Sequence, residues 1–312
     1  MNQKVQSGFQ ATGIPFIDDL FNTPPVRVEL GSINEVRTNT DFEFHSRAAP
    51  YLECEDIEYT YSVQAGLKCL EVQSRLKRSK GRILYFFGGG FVTGSLLQDM
   101  PIVVPLAQMT GMSIIIPFYR LAPEHPWPSA IDDAARSLLA LEANCGDEPI
   151  AIMGESAGGN LALNTTLNAA ASHHSKLAAC VLLSPWCDLT DFRRKHDAHV
   201  RPDPTIDHEL LVQFRDAYAQ GQDFSRPDIS PTYGNFGAHL PPTLITTGTR
   251  DELLFDCLEL AKRMRDSGMN VEVNNVQDML HVFELYYELP QARKSLEKIA
   301  AFITHHVNLQ QQ

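Results

Sequence analysis

Residues 150–171 place a Gly-x-Ser-x-Gly motif between an apolar run and an alanine-rich stretch, "IAIMGESAGGNLALNTTLNAAA". The apolar run predicts a buried strand, and the residues after the motif predict a helix. Gly154 and Gly158 leave room for a turn so sharp that the residue between them, Ser156, is strained and has an exposed hydroxyl. In this strand-to-helix context the motif predicts a nucleophilic serine at position 156 rather than an ordinary turn.

The same two kinds of segment alternate along much of the chain. Two stretches, 57–63 and 67–74, flank a short turn at residues 64–66 and predict a hairpin. Continuous apolar runs predict strands covered on both faces, at 82–87, 113–117, 150–154, 180–184, 243–248 and 271–276. Helices are predicted at 129–143, 157–172, 252–267 and 290–307, the first with a capping-box-like start at Ser129 and Asp132. This alternation predicts an α/β protein with a mainly parallel sheet and helices on both faces.

One segment interrupts the alternation. Residues 188–240 are charged and studded with proline, and they contain one amphipathic stretch, "DHELLVQFRDAYAQ". Its larger apolar side chains fall roughly on one face of a helix: Leu210, Leu211, Phe214 and Tyr218. An insertion of this size between two strands of a sheet predicts a lid.

The composition agrees with a soluble globular protein and argues against several other classes. Of the 312 residues, 44% are hydrophobic and 21% are charged. The net charge of -12 argues against a nucleic-acid partner, because a phosphate backbone selects for basic surface. With no secretory signal and no apolar run long enough to cross a bilayer, the chain is predicted to be cytoplasmic. The six cysteines form no Cys-x-x-Cys pair, and no cluster of metal ligands is apparent.

A nucleophilic serine needs a base, and one histidine lies in a suitable place. A serine hydroxyl is a poor nucleophile at neutral pH unless a histidine, itself oriented by an acid, removes its proton. After a strand-to-helix turn of this kind, the acid and then the histidine follow later strands. The single histidine between Asp251 and Thr304 is His281, five residues beyond the run 271–276. His281 is therefore the predicted base, and this chemistry needs no cofactor.

Three aspartates compete for the role of the acid. Asp251 comes three residues after the run 243–248 and is the first choice. Asp256 falls a turn or more into the following helix and would point away from the site. Asp188, which follows an earlier strand, is the weaker rival.

The stretch "YFFGGGFVTG", residues 85–94, ends an apolar strand in three consecutive glycines. Acyl transfer passes through a tetrahedral oxyanion, and one backbone N–H aimed at it contributes about 2.7–4 kcal/mol. Glycines let the backbone approach the substrate oxygen without intervening side chains. The predicted oxyanion hole consists of the N–H groups of Gly88, Gly89, Gly90 and Ala157.

Six motifs, in order, resemble those of the hormone-sensitive-lipase-like esterases of the α/β-hydrolase superfamily. They are "FFGGGFVTGS", "YRLAPEHPWPSAIDDA", "GESAGG", "LLSPWCDLT", "GTRDELLFD" and "HVF". The resemblance is greatest to the bacterial esterases and lactone hydrolases of that group, and it extends from about residue 50 to the C-terminus.

The resemblance implies an α/β-hydrolase fold with a helical cap. It also implies that Ser156 is the nucleophile, Asp251 the acid and His281 the base. The implied core and cap each consist of two parts, with the core at 46–187 and 241–312 and the cap at 1–45 and 188–240.

The chain departs from this family at Phe87. The family normally has His-Gly-Gly-Gly, whose histidine braces the glycine loop through hydrogen bonds, whereas a phenylalanine can brace it only by packing. We predict that Phe87 packs on Phe86, Phe91 or neighbouring helices and that the loop is less rigidly set. Phe87→His would then raise kcat if hydrogen-bonding partners remain. Glu155, where the family usually has aspartate, is a milder change.

These features favour a serine carboxylesterase that hydrolyses short- to medium-chain esters through an acyl-enzyme. A lactone hydrolase with the same triad is the closest alternative. Another alternative is a small-molecule-binding relative, similar to the plant gibberellin receptors, which have lost the histidine. Here all three triad residues are present, which favours the enzyme. The resemblance also allows a homodimer, although the sequence shows no interface.

Overall fold

The computed structural model describes residues 47–171, 176–190 and 203–311, together with Asp18, Ile33 and Arg37. Within these residues an eight-stranded sheet has the order β1-β2-β4-β3-β5-β6-β7-β8. The strands are β1 Ile57–Gln64, β2 Leu67–Ser74, β3 Arg82–Phe86, β4 Ser113–Pro117, β5 Ile150–Glu155, β6 Leu177–Leu183, β7 Thr243–Gly248 and β8 Val271–Val276. From β4 to β8 in this order all neighbours are parallel, which confirms the predicted α/β sheet.

The hairpin of β1 and β2 forms the antiparallel end of the sheet. Gln64 pairs with Leu67, so that Ala65 and Gly66 alone make the turn. Both turn residues have positive φ, 49° and 80°, as a two-residue hairpin loop of the primed type requires. The predicted hairpin is confirmed.

Strands β4, β5, β6 and β7 are buried along their whole length, as continuous apolar runs predict. The prediction for β8 is wrong in this respect, because most of its residues are half-buried or exposed. The reason is its place at the edge of the sheet, where one side of the strand has no neighbouring strand among the described residues.

The helices lie between the strands along the chain. Their bounds are α1 Leu96–Thr110, α2 Ser129–Asn144, α3 Ala157–Ala171, α4 His208–Ala219, α5 Leu254–Asp266 and α6 Pro290–Leu309, with short 3-10 turns at Pro231–Tyr233 and Phe283–Leu285. The sequence did not predict α1, which contains Pro101 and Pro105. Proline removes a helical hydrogen bond and disfavours a helix interior. Here α1 packs against α6 and β2 and buries most of its side chains.

The predicted capping box at the start of α2 is wrong. Ser129 is already the first helical residue, Pro128 occupies the cap position, and no side chain caps the helix. The buried carboxylate near this end belongs to Asp133, which accepts hydrogen bonds from the backbone and guanidinium of Arg120.

Helix α4 lies in the predicted 188–240 insertion, and its predicted apolar face is buried. The ring of Tyr218 stacks on Phe91 with centroids 3.8 Å apart. Phe214 lies so close to Gly90 that a Cβ there would be 2.1 Å from its ring. Helix α4 therefore covers the glycine loop that follows β3. The rest of the predicted cap, 1–45 apart from three residues and 191–202 of the insertion, lies outside the described residues.

Candidate active site

Ser156 lies at a sharp turn between β5 and α3, and its φ of 53° is in the left-handed region. A Cβ at Gly154 would lie 2.2 Å from the Gly158 carbonyl oxygen, and one at Gly158 would lie 2.1 Å from that of Phe86. Both positions therefore exclude any residue larger than glycine. The backbone fixes the serine, whose N–H donates to the Leu183 carbonyl at 2.9 Å.

Ser156, His281 and Asp251 form a continuous hydrogen-bonded chain. The Ser156 hydroxyl oxygen is 3.0 Å from His281 Nε2. On the other side of the ring, His281 Nδ1 is 3.0 Å from Asp251 Oδ1. With the proton on Nδ1 donated to the carboxylate, Nε2 is left to accept the serine proton.

Asp251 is itself fixed by two further donors. The N–H of Leu253 donates to Oδ1 at 2.9 Å, and the Thr247 hydroxyl donates to Oδ2 at 3.0 Å. The rival Asp188 accepts instead from the backbone and hydroxyl of Thr190, at 2.9 and 2.5 Å. The second rival, Asp256, lies inside α5. Of the three aspartates, the geometry brings Asp251 to the histidine.

Charges around His281 stabilise the imidazolium that forms when the ring takes a proton. Burial alone would lower the pKa of His281, but Asp251, Asp203 and Glu155 are negative neighbours that outweigh burial and raise this pKa to about 9. For Asp251 the effects have the opposite sign. Burial alone would raise its pKa, but the His281 charge and the hydrogen bonds to the carboxylate hold this pKa below its ordinary value. The surroundings therefore stabilise the imidazolium–carboxylate pair that is created when Nε2 takes a proton.

The glycine loop has three N–H groups, one of which is already bonded. Gly88 donates its N–H to Glu155 Oε1, so its predicted role as an oxyanion donor disagrees with this structure. In the described part of the chain, the N–H groups of Gly89 and Gly90 bond to no other protein atom. Both glycines have positive φ, 90° and 62°. The Ala157 N–H is at the first position of α3, where no intrahelical acceptor exists.

Phe87 is braced by a residue that the sequence analysis did not single out. Its ring stacks on Tyr119 with centroids 4.4 Å apart and an interplanar angle of 20°. The Tyr119 hydroxyl donates to the carbonyl oxygens of Phe87 and Gly88, at 2.7 and 3.2 Å. The expected packing of Phe87 is therefore present, with Tyr119 as the stacking partner rather than Phe86 or Phe91.

Glu155 also stabilises the glycine loop that follows β3. Its side chain is buried, and burial raises its pKa to about 7, although the His281 charge and the Gly88 N–H act in the opposite direction. A Cβ at Gly88 would lie 2.2 Å from Glu155 Oε1, so the carboxylate fills the space that a side chain would need. Glu155 and Tyr119 together hold the loop by hydrogen bonds that need no histidine at position 87.

A further carboxylate near the site, Asp203, was also missed. It lies in the insertion and accepts a hydrogen bond from the His281 backbone N–H at 2.7 Å. The only local sign of it in the sequence is an Asp-Pro-Thr turn ahead of α4. Among the described residues, no group of His, Cys, Asp and Glu side chains could hold a metal ion.

Comparisons with known proteins agree with this architecture. Residues 83–285 match the family described as the alpha/beta hydrolase fold. An acetyl-hydrolase of Streptomyces hygroscopicus is 30% identical over 239 residues, which cover 75% of this chain and 79% of the relative. An esterase of Acinetobacter venetianus is 31% identical over 250 residues, which cover 77% and 80%. The crystal structure of a hormone-sensitive lipase from a metagenome library superimposes with a TM-score of 0.82 at 28% identity, covering 94% of this chain and 97% of that one.

The chain belongs to the α/β-hydrolase family. The matched region includes Ser156, Asp251 and His281. The resemblance to hormone-sensitive-lipase-like esterases, inferred from six motifs, is confirmed by the family match and by the structural neighbours. Within the part of the chain that the structure describes, no helix is both long and apolar enough to cross a membrane.

Proposed function

We propose that this protein is a serine carboxylesterase that forms an acyl-enzyme on Ser156. The carboxylic ester hydrolase class follows from the fold and from relatives named esterase and carboxylesterase. The proposal of an acyl-enzyme on Ser156 rests on the hydrogen-bonded chain from Ser156 through His281 to Asp251, with 3.0 Å in each link. A ligand-binding relative would not need this alignment.

The proposed mechanism uses these three side chains in turn. His281 Nε2 takes the hydroxyl proton as Ser156 Oγ attacks the ester carbonyl, and the resulting imidazolium is stabilised by Asp251. The imidazolium then gives its proton to the leaving alcohol, which departs and leaves the acyl group on Oγ. A water molecule then attacks the acyl-enzyme as His281 takes one of its protons. The carboxylic acid product leaves, and His281 returns the proton to Ser156 Oγ.

We assign the oxyanion hole to the N–H groups of Gly89, Gly90 and Ala157. None of these three N–H groups has another protein acceptor among the described residues. Gly88 has a different role in this proposal, since its N–H ties the loop to Glu155. The loop is thus set before substrate arrives, as electrostatic stabilisation of a developing charge requires.

We further propose that the cap limits the acyl chain to short or medium length. The aromatic rings of Phe214 and Tyr218 cover the glycine loop directly. Arg37, in the proposed N-terminal part of the cap, donates to the Val92 carbonyl at 2.8 Å and so contacts the same loop. Bulky groups close to the oxyanion donors leave little depth for a long acyl chain.

Hydrolysis of p-nitrophenyl acetate, butyrate and octanoate tests the proposal, with a γ-lactone as a fourth substrate. We expect turnover of the acetate and butyrate to exceed that of the octanoate. A faster lactone reaction would favour the lactone hydrolase. No turnover of any of the four, together with binding of ester-like ligands, would favour the binding protein and overturn the enzyme.

Replacing the acid is expected to lower activity strongly. Asp251→Asn removes the charge that stabilises the imidazolium and disturbs the tautomer of His281, so kcat should fall about 10³–10⁴-fold. Asp188→Asn is the matched control, because it removes a buried carboxylate that bonds to Thr190 and not to His281. If kinetics on p-nitrophenyl butyrate show that Asp188→Asn is the more damaging change, the acid assignment moves to Asp188.

The contacts of Phe87 reverse the effect expected for Phe87→His from the sequence. The ring is 4% exposed and stacked on Tyr119, and the loop is already hydrogen-bonded. An imidazole there would lose the stacking and bury a polar N–H, at a cost of about 1–3 kcal/mol. We expect a lower free energy of unfolding and no gain in kcat. Phe87→Leu is the apolar control, and a rise in kcat for the histidine variant alone would contradict the prediction.

A further inference from the structure

Asp203 joins the insertion to the loop that carries His281. Its side chain is 1% exposed, and its Oδ2 accepts the backbone N–H of His281 at 2.7 Å, across 78 positions of the chain. Asp203 does not hydrogen-bond to the imidazole ring, whose two nitrogens lie 3.0 Å from Ser156 and Asp251. Its effect on the ring is therefore exerted through the backbone and through its charge.

The other oxygen of Asp203 accepts three more hydrogen bonds. Its Oδ1 lies 2.7 Å from Thr205 N, 2.6 Å from Thr205 Oγ1 and 3.3 Å from Ile206 N. All four groups around the carboxylate donate, and an ionised carboxylate is the side chain that only accepts. Burial and the nearby charge of Asp251 raise the pKa of Asp203, while the His281 charge and the two Thr205 donors act in the opposite direction. The geometry of the donor set, with four donors and no acceptor, fits the ionised carboxylate.

Val282, the residue after His281, shows how firmly the histidine loop is held. Val282 has a φ of 46°, an outlier for a β-branched side chain. Its N–H donates to Ser184 Oγ at 3.0 Å. Two successive N–H groups, those of His281 and Val282, are thus held by side chains from two other parts of the chain. Strained backbone persists where surrounding contacts over-determine it.

We infer that Asp203 is a positioning residue for His281, which fixes the histidine loop through its backbone N–H and adds a second negative charge beside the imidazolium. The inference rests on the proposed function, in which His281 is the base. The charged groups that face His281 come from three elements: Asp251 after β7, Asp203 in the insertion and Glu155 at the end of β5. Asp203 is the member of this set that lies outside the core sheet and its connections.

Asp203→Asn tests the inference by two readouts. An amide of the same shape presents its NH₂ either to His281 or to Thr205, so one set of hydrogen bonds is lost together with the charge. We expect kcat on p-nitrophenyl butyrate to fall roughly 10- to 100-fold with KM within about threefold, because small misplacement of a catalytic group is costly.

The pH profile separates positioning from a purely structural role. A general base must be neutral, so activity falls as pH drops through the pKa of His281. Negative neighbours raise this pKa, and removing one should therefore lower it. The acid limb of kcat/KM is expected to move to lower pH by about half a unit or more in Asp203→Asn.

Asp207→Asn is the matched control. It removes a charge from the same segment, but asparagine caps a helix as well as aspartate, and Asp207 caps α4. Its kcat and acid limb should match those of the parent. Circular dichroism and thermal unfolding should show that both variants are folded.

Two outcomes would overturn the inference. One is parental kcat in Asp203→Asn, and the other is a lower kcat with an unshifted acid limb, which would make Asp203 a structural tie only. If Asp203→Asn does not fold, Asp203→Ser removes the charge while keeping an acceptor, and the same two criteria apply to it. Failure of the proposed function would look different, since the parent would then lack esterase activity or Ser156→Ala would retain it.

Discussion

Ser156→Ala is expected to lower kcat for p-nitrophenyl esters by about 10⁵-fold or more, because in the proposed mechanism this residue forms the covalent bond to the acyl group. The protein should still fold. The turn is held by backbone contacts, in which Ser156 donates its N–H to Leu183 and its carbonyl accepts from Trp186 at 2.9 Å. Among the described residues, the hydroxyl hydrogen-bonds to His281 alone, so its loss leaves the turn intact.

Ser137→Ala is a suitable control for the nucleophile. Ser137 is a buried serine in α2 whose hydroxyl donates to the Asp133 carbonyl within the helix. Its loss should leave kcat at the parental value. Activity of Ser156→Ala above about a tenth of the parent, in a thermally stable protein, would show that another residue is the nucleophile.

His281→Ala is expected to reduce kcat by a similar factor, about 10⁵-fold or more, since a catalytic unit loses nearly as much from one member as from all. The double variant Ser156→Ala/His281→Ala should therefore be little worse than either single variant. The residual activity of His281→Ala should increase steadily with pH, because hydroxide replaces the missing base. It should not show the fall at low pH that comes from protonation of a histidine.

His305→Ala provides the comparison for the base. His305 is exposed in α6 and has no place in the proposed mechanism. We expect parental kcat and an unchanged pH profile. Additive losses in the double variant would argue that Ser156 and His281 act separately, which the proposed mechanism does not allow.

Much of the fold could be predicted because the relevant signals are local. Continuous apolar runs located β4 and β7 with their observed bounds, and the Gly-x-Ser-x-Gly motif located the turn before α3. Helix α1 was not predicted, since its prolines are unfavourable by propensity and its stability comes from packing on distant elements. The exposed side of β8 depends on strand order, which local patterns do not specify.

The candidate active site likewise has residues that local sequence signals predict and contacts that they do not. Ser156, Asp251 and His281 were predicted from motifs and from their order after the strands. Contacts between distant side chains were not predictable. Nothing near Gly88 in the sequence indicates that its N–H meets Glu155, 67 positions away. The Asp203 contact with His281 likewise depends on how the insertion returns over the core.

The close approach of Phe214 to Gly90 limits how this enzyme can be redesigned. Residue 214 can become smaller without a clash, whereas position 90 has no space for even one methyl group while the ring remains. A library aimed at longer acyl chains should therefore vary position 214 and leave position 90 as glycine. Removing the ring would relieve the clash but not the backbone constraint, because the φ of 62° at Gly90 disfavours any residue with a Cβ. Position 90 should therefore stay glycine even after position 214 has been made smaller.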